Sequence, residues 1–379
     1  MDSPPSLVCR ELRLRGFRNY PELDVAFPPV GAAIIGPNGS GKTNLVEALY
    51  YLEIFRSFRG AADEQLCRFG DDVFHVRGRF EDPLSGRSLE VTAAYDKRRR
   101  EKRVTVDGVV PDRLGGALGR VGMVVFSPSD VGLVSGSPSE RRRFLDIVLS
   151  LNVPGYLAAV QRFRQTLKQR NALLREGAPA GVLEAWTIGL VEASAQIMAA
   201  RARWVSDHAG LFAACYERVG HEAPARLEYR CSVPAAASPG TDVAEALTAE
   251  LERVAQRERE QGITLRGPHR DDLGLAREGP DGWLDLRDFG SGGQQRTAAV
   301  ALRLVEAATV REARSTSPMI LLDDIFAELD PGRSERLLEL IEETPGQVIL
   351  TAPKPSDLEV RRGALTRWRI SSGKIVAAA

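Results

Sequence analysis

Lysine is nearly absent from this chain of 379 residues: of 51 basic residues six are Lys and 45 are Arg. Guanidinium suits bidentate phosphate contacts, but coding bias is the simpler account of the excess. Aromatic residues are also scarce, at 6%, which argues against reading single strands by base stacking. The four cysteines (Cys9, Cys67, Cys215, Cys231) form no CxxC pair and the four histidines are equally scattered, so neither a disulfide framework nor a zinc site is indicated. No apolar run approaches membrane-spanning length. The start, Met1 to Pro5, has no basic region leading into an apolar core, so no signal peptide is expected and the cytoplasm is the expected location. Net charge is missing too: 51 acids balance 51 bases, so any nucleic-acid surface must be a local patch.

What is present is ordinary for a folded chain, with 43% apolar and 27% charged residues. The length exceeds a usual single domain, so two lobes are expected. Residues 12–17 and 23–27 alternate like a hairpin around Asn19 and Pro21. Residues 32–35 are a short apolar run ending in a glycine-rich turn. Leu45, Leu49 and Leu52 then recur at helical spacing over 44–55, so the order is strand, glycine loop, helix. Further strands are expected over 73–80, 89–95 and 104–106, and a buried one over 121–126. Long helical patterns dominate from about residue 139 to 261, one with Phe144, Leu145, Val148 and Leu149 on one face and another over 183–219. Residues 224–240, rich in Ala, Pro and Ser, read as a break before the charged helix Val243–Gln261. Strand character then returns, followed by a helix over 294–314, the apolar strand Met319–Leu322, a helix over 334–343 and a strand over 347–351. The expected fold class is α/β: a head with a mixed sheet and flanking helices over 1–126 and 262–379, interrupted by a largely helical lobe over 127–261.

Gly36-Pro37-Asn38-Gly39-Ser40-Gly41-Lys42-Thr43 fits GxxxxGK[ST]. Its glycines let successive N–H groups turn inward onto phosphates, and the helix that follows adds its positive end. Lys42 would reach the β- and γ-phosphates of ATP, and the Thr43 hydroxyl would ligate Mg²⁺. Met319-Ile320-Leu321-Leu322-Asp323-Asp324 is an apolar strand delivering two carboxylates at its C-terminal edge, where α/β sheets bind ligands. Asp323 is the expected Mg²⁺ ligand, and Asp324 is placed to orient or deprotonate the attacking water. Ser291-Gly292-Gly293-Gln294-Gln295 opens the long helix over 294–314, a position suited to an anion.

That last segment resembles the signature LSGGQ of the ABC ATPases, with Gly290 in place of the leucine. Ala327-Glu328-Leu329-Asp330 looks like the same superfamily's D-loop, which makes Asp330 a further nucleotide-site candidate. The 249 residues from Lys42 to Ser291, the absence of a histidine after the final strand and the absence of a clear glutamine loop argue against a transporter. The chain is similar to the DNA-repair heads of the SMC-like group, and most closely to the RecF family. The resemblance is carried by the opening Leu12-Arg13-Leu14-Arg15-Gly16-Phe17-Arg18-Asn19-Tyr20, by Phe126-Ser127-Pro128-Ser129-Asp130 leading to Arg141-Arg142-Arg143-Phe144-Leu145-Asp146, and by Gly267-Pro268-His269-Arg270-Asp271-Asp272-Leu273. It implies an ABC-type ATPase that binds DNA when loaded with ATP, forms a nucleotide-dependent homodimer and acts with RecR and RecO to help RecA load at single-strand gaps. It also implies that Ser291 of one subunit contacts the γ-phosphate held by Lys42 of the other. The alternative is an SMC-like head that clamps a protein partner, with DNA contact secondary. Many ABC relatives carry Glu where this chain has Asp324, one methylene shorter, so slow hydrolysis is expected.

For DNA, the candidates are Arg98, Arg99, Arg100 and Arg103 in the run Lys97-Arg98-Arg99-Arg100-Glu101-Lys102-Arg103, and Arg141 and Arg142, which oppose a helix dipole where they stand. Contacts to duplex backbone fit these better than base stacking. His269 reads as structural. Arg13 and Asn19 are the candidates for adenine contact.

Overall fold

A computed structural model describes residues 6–221, 223–237, 241–343, 346–354, 365–371 and 373–377; the signal-peptide reading of the first five residues lies outside this set. In chain order the elements are β1 (Val8–Phe17), β2 (Tyr20–Ala26), β3 (Gly31–Ile35), α1 (Lys42–Ile54), α2 (Asp63–Leu66), β4 (Val73–Glu81), β5 (Ser88–Asp96), β6 (Glu101–Val106) and β7 (Met123–Phe126). There follow α3 (Gly132–Ser135), α4 (Pro138–Asn152), α5 (Tyr156–Glu176), α6 (Ala180–Gly220), β8 (Ala225–Arg230) and α7 (Val243–Gln261). The chain closes with β9 (Asp272–Gly279), β10 (Gly282–Asp285), α8 (Leu286–Phe289), α9 (Gly292–Arg314), β11 (Met319–Leu322), α10 (Pro331–Glu342), β12 (Val348–Ala352), β13 (Thr366–Ser371) and β14 (Lys374–Ala377).

The chain divides into two compact units. The first comprises residues 1–130, 218–220 and 302–379, and the second 131–217 and 221–301. In the first, β14, β13, β3, β12, β11 and β7 lie side by side in that order, parallel except for β13–β14. Strands β3, β12 and β11 are buried at every residue, as a sheet covered on both faces requires. This sheet interleaves strands from the two ends of the sequence: β12, near residue 350, pairs with β3 through Leu350 and Ala33. The chain segments that carry the glycine loop and the paired carboxylates thus meet in one sheet of one unit. A second, antiparallel sheet runs β2-β1-β4-β5-β6. It packs on α1 through an edge-to-face cluster in which Phe74 lies 5.3 Å from Phe17 and 5.5 Å from Tyr51.

The second unit contains the long helices α4 to α7 and a small antiparallel sheet, β10-β9-β8. Two sequence expectations are corrected here. The stretch over 224–240 is not merely a break, because it contains β8; and residues 262–301, assigned to the head by their strand character, belong to the second unit. The reason is one pairing: β9 hydrogen-bonds along β8, from Ala225 against Arg277 to Arg230 against Asp272. Strand propensity marks β9 as a strand but says nothing about which partner it takes.

Part of the arginine excess lies inside this unit. Arg170 donates to Glu258 at 2.6 Å and to Thr264 at 2.8 Å, and Arg201 to Asp146 at 2.8 Å and to the Pro268 carbonyl at 2.7 Å, all four side chains being largely buried. A guanidinium fork satisfies several acceptors at once, which a lysine cannot do in the same geometry. His269 is held by the same layer: its Nε2 donates to the Thr264 carbonyl at 3.0 Å, while Nδ1 is buried without a partner. Burial pushes its pKa down to about 4. A histidine with a depressed folded pKa takes up its proton more readily when unfolded, so stability is lost as pH falls from about 6.5. The loss should approach about 3 kcal/mol by pH 4. Denaturant melts of wild type and His269→Gln across that window should show the extra slope in wild type only.

Candidate nucleotide-binding site

The glycine loop between β3 and α1 is shaped by its surroundings as well as its sequence. Gly41 has φ 110, and a Cβ there would stand 2.5 Å from the Asn19 amide and 2.9 Å from the Tyr20 hydroxyl, so only glycine fits. The Tyr20 hydroxyl donates to the Gly41 carbonyl at 2.8 Å, and the Asn19 amide to the Ser40 carbonyl at 3.3 Å. Asn19 therefore buttresses the phosphate loop, and Arg13 is engaged with Asp24 at 3.0 Å on the antiparallel sheet. Pro37, Asn38 and Gly39 are exposed at the tip of the loop, whereas Gly36, Ser40, Gly41 and Lys42 are buried. The Ser40 hydroxyl is buried with no partner, an orphaned polar atom of the kind an anion acceptor would satisfy.

Lys42 is 3% exposed, and its Nζ donates to the Gly36 carbonyl at 2.9 Å and the Pro37 carbonyl at 3.3 Å. It also lies 3.4 Å from Asp324 Oδ2. The strand β11 thus brings its two carboxylates to the loop from 282 residues further along the chain. Asp323 is hydrogen-bonded by Thr43, and burial pushes its pKa up to about 6; the neighbouring Asp324 adds to this, while Thr43, Thr351 and Arg59 oppose it. Thr43 and Asp323 are hard oxygen donors already in contact, which fits Mg²⁺.

Two site residues escaped the sequence reading as functional groups. Thr351, at the end of β12, has its hydroxyl 3.1 Å from Asp323 Oδ1 and 3.0 Å from Asp324 Oδ1, and accepts the Asp324 N–H at 2.9 Å. The absence of a histidine was legible there, but not the hydroxyl's double reach. Arg59 stands in the segment after α1, which folds back along the helix so that Nη1 lies 3.5 Å from Asn44 Oδ1 and 3.9 Å from the buried Glu47. No motif marks it; only the fold-back does.

The signature segment lies in the second unit. Ser291 caps α9 reciprocally with Gln294: the Gln294 N–H reaches the Ser291 hydroxyl at 3.2 Å, and the Ser291 N–H the Gln294 side chain at 2.9 Å. Ser291 and Gly292 are exposed, and Gly293 and Gln294 half-exposed, so this helix end is open to a ligand. Asp330 caps α10, accepting the Arg333 N–H at 3.0 Å.

The DNA candidates separate sharply. Arg98, Arg99 and Arg100 are exposed in the turn between β5 and β6, and Arg103, though it lies within β6 and not in a loop, is exposed as well. Arg141 is a correction: it is 4% exposed, holds Asp272 through both carboxylate oxygens at 2.8 and 2.9 Å, and caps the Gly136 carbonyl, so it cannot reach DNA. Arg142 is half-buried and donates to the Asp271 carbonyl at 2.8 Å. The dipole cost of basic residues at this helix start is met by acids inside the fold.

A family model described as "AAA domain, putative AbiEii toxin, Type IV TA system" matches residues 32–98 and 220–355, the parts that carry the glycine loop and the paired carboxylates. Curated relatives match over nearly their whole length. The DNA replication and repair protein RecF of Geobacter sp. (strain M21) is 33% identical over 97% of this chain and 99% of its own. That of Moorella thermoacetica is 37% identical over 89% of this chain and 88% of its own. The chain belongs to the RecF family. Among solved structures, the recombination mediator protein RecF with ATP, of the RecFOR pathway, is 27% identical with a TM-score of 0.88, over 100% of this chain and 99% of that one. A more distant likeness is an Smc head bound to the C-winged helix domain of ScpA, at 16% identity and a TM-score of 0.57 over 98% of this chain and 97% of that one. It shares the fold. The RecF and Smc likenesses place the α/β unit among ABC-type P-loop ATPase heads.

Proposed function

We propose that this RecF-family chain is an ATP-binding protein of DNA repair and replication that dimerises on ATP and hydrolyses it slowly. The observation that carries the reading is the convergence of Lys42, Thr43, Asp323, Asp324 and Thr351 at one end of the parallel sheet. The loop from Gly36 to Thr43 would bind the triphosphate, with Lys42 leaving its carbonyl partners for the β- and γ-phosphates. Thr43 and Asp323 would hold Mg²⁺, which supplies positive charge at the phosphates being parted. Asp324 would take the proton of the attacking water. It is fixed by Thr351 and by its own left-handed backbone, φ 46, a conformation that favours Asp over Glu. That constraint holds the short carboxylate in place and supports slow turnover.

Ser291 and the open end of α9 would close on the γ-phosphate bound by Lys42 of a second copy, making ATP the adhesive of a homodimer that binds DNA. RecR and RecO are the expected partners, by likeness to RecF of the RecFOR pathway. Among the described residues no helix is long and apolar enough to cross a membrane, which fits the proposed cytoplasmic location.

The decisive experiment is the solution mass with and without ATP for wild type and Ser291→Arg. ATP should double the wild-type mass, and the arginine, placed at an exposed helix cap, should abolish doubling while ATP still binds. A mass that never responds to ATP would rule out the dimer, and an ATP-driven dimer with no gain in DNA affinity would favour the clamp on a protein partner.

A further inference from the structure

Phe69 is fully exposed, at 100%, and among the described residues no large apolar side chain is more so. It is the second residue of the turn Arg68-Phe69-Gly70-Asp71, which the Asp71 N–H closes on the Arg68 carbonyl at 2.9 Å. Gly70, the third residue, has φ +93, the conformation a type II turn demands there. An ordered, hydrogen-bonded turn therefore holds the ring out in water. A lone exposed ring is ordinary on a protein surface; its neighbours give this one a chemistry.

Asp72, directly after the turn, accepts the Lys97 N–H on its carbonyl at 2.8 Å and pairs with Arg98 through its carboxylate. In the adjoining register Val73 faces Asp96. The Phe69 turn and the basic turn Lys97-Arg98-Arg99-Arg100 thus leave the same end of the antiparallel sheet. All four basic residues are exposed, with the Arg98 and Arg99 side chains at 79% and 78%. Lys97 and Arg100 face no carboxylate at ion-pair distance among the described residues. Arg68 adds a fifth cation, 41% exposed and 3.6 Å from Asp71. By contrast Lys102 turns inward, to Asp63 at 2.7 Å and over the Tyr51 ring, while Arg103 next to it on β6 is exposed.

We infer that this end of the sheet is a single-stranded DNA subsite, with backbone phosphates along the basic turn and an unpaired base stacked on Phe69. The inference rests on the DNA-binding reading above and names what the DNA must offer there; it reverses the duplex preference drawn from the scarcity of aromatic residues, because one fully exposed ring beside the cations is enough for a stacking contact. Cations alone would accept the phosphates of any duplex. A ring standing free among them gains only from a base whose face is open, which pairing and stacking within a duplex deny.

The test uses the full chain with ATP and Mg²⁺, titrated with fluorescein-labelled oligothymidylate and, separately, with a blunt duplex. Phe69→Ala should weaken oligothymidylate binding about tenfold and duplex binding by less than about twofold. Phe69→Trp should keep the affinity, and the indole emission it adds over wild type should be quenched by oligothymidylate. The fully exposed position leaves folding undisturbed in both. Wild-type affinity for oligothymidylate in Phe69→Ala, or added indole emission in Phe69→Trp that oligothymidylate leaves unquenched, overturns the inference and leaves the ring as a contact for a protein partner. Wild type that binds duplex but not oligothymidylate overturns this inference alone, whereas binding to neither overturns the DNA reading with it.

Discussion

Replacing Asp324 by Asn is expected to lower ATP hydrolysis about 10²–10⁴-fold, the range lost with a positioned general base, while ATP binding and ATP-dependent association persist. The substitution is close to isosteric and keeps a residue that tolerates the left-handed backbone at φ 46. The Thr351 hydroxyl, 3.0 Å from Asp324 Oδ1, can still donate to the amide oxygen, so the local fold should survive. What disappears is the lone pair that accepts the proton of water. Single-turnover hydrolysis, read beside nucleotide binding and solution mass, checks this: a trapped ATP dimer is the expected product. Hydrolysis near the wild-type rate would remove Asp324 from the mechanism. Asp324→Glu is a useful companion, because its longer reach is opposed by the backbone. If reach alone limited the rate it would accelerate hydrolysis, and if the left-handed conformation governs it would not.

The Lys42→Ala protein should hydrolyse ATP about 10²–10³-fold more slowly, the cost of deleting one preorganised donor to developing charge. It should also bind ATP more weakly, which distinguishes it from Asp324→Asn. The side chain is 3% exposed and stands 3.4 Å from Asp324, so its removal also takes the nearest cation from that carboxylate. Loss of binding and of hydrolysis together, in a protein whose unfolding remains cooperative, is the expected pattern. Hydrolysis lost with ATP affinity unchanged would mean that Lys42 acts on the transition state alone.

Much of the site was legible because short motifs carry their own physics. A glycine loop between an apolar strand and a helix has the form of a phosphate cradle, and Met319–Leu322 followed by two acids reads as a strand presenting carboxylates at its edge, a strand that is buried at every residue. The reciprocal cap of Ser291 and Gln294 is likewise written in the spacing S-x-x-Q. Less legible were residues whose role depends on distant partners. Arg141 and Arg142 look like a basic patch until Asp272 and the Asp271 carbonyl are brought against them. Arg59 has no motif at all and reaches the site only because its segment folds back along α1.

By itself, the sequence determined many of the parts: the strand, glycine loop and helix over 32–55, the apolar strand Met319–Leu322 with two acids after it, the long helices of the second unit, and the family they signify. Those features depend on periodicity and on chemistry within a few residues. Only the tertiary structure decided which charges are free and which are spoken for, that β9 pairs with β8 and so leaves the head, that Thr351 reaches both carboxylates, and that Phe69 shares a sheet end with Lys97 to Arg100. Each of these depends on pairing between segments far apart in the chain. Strand register and buried ion pairs are chosen by packing, and local propensity does not encode the partner.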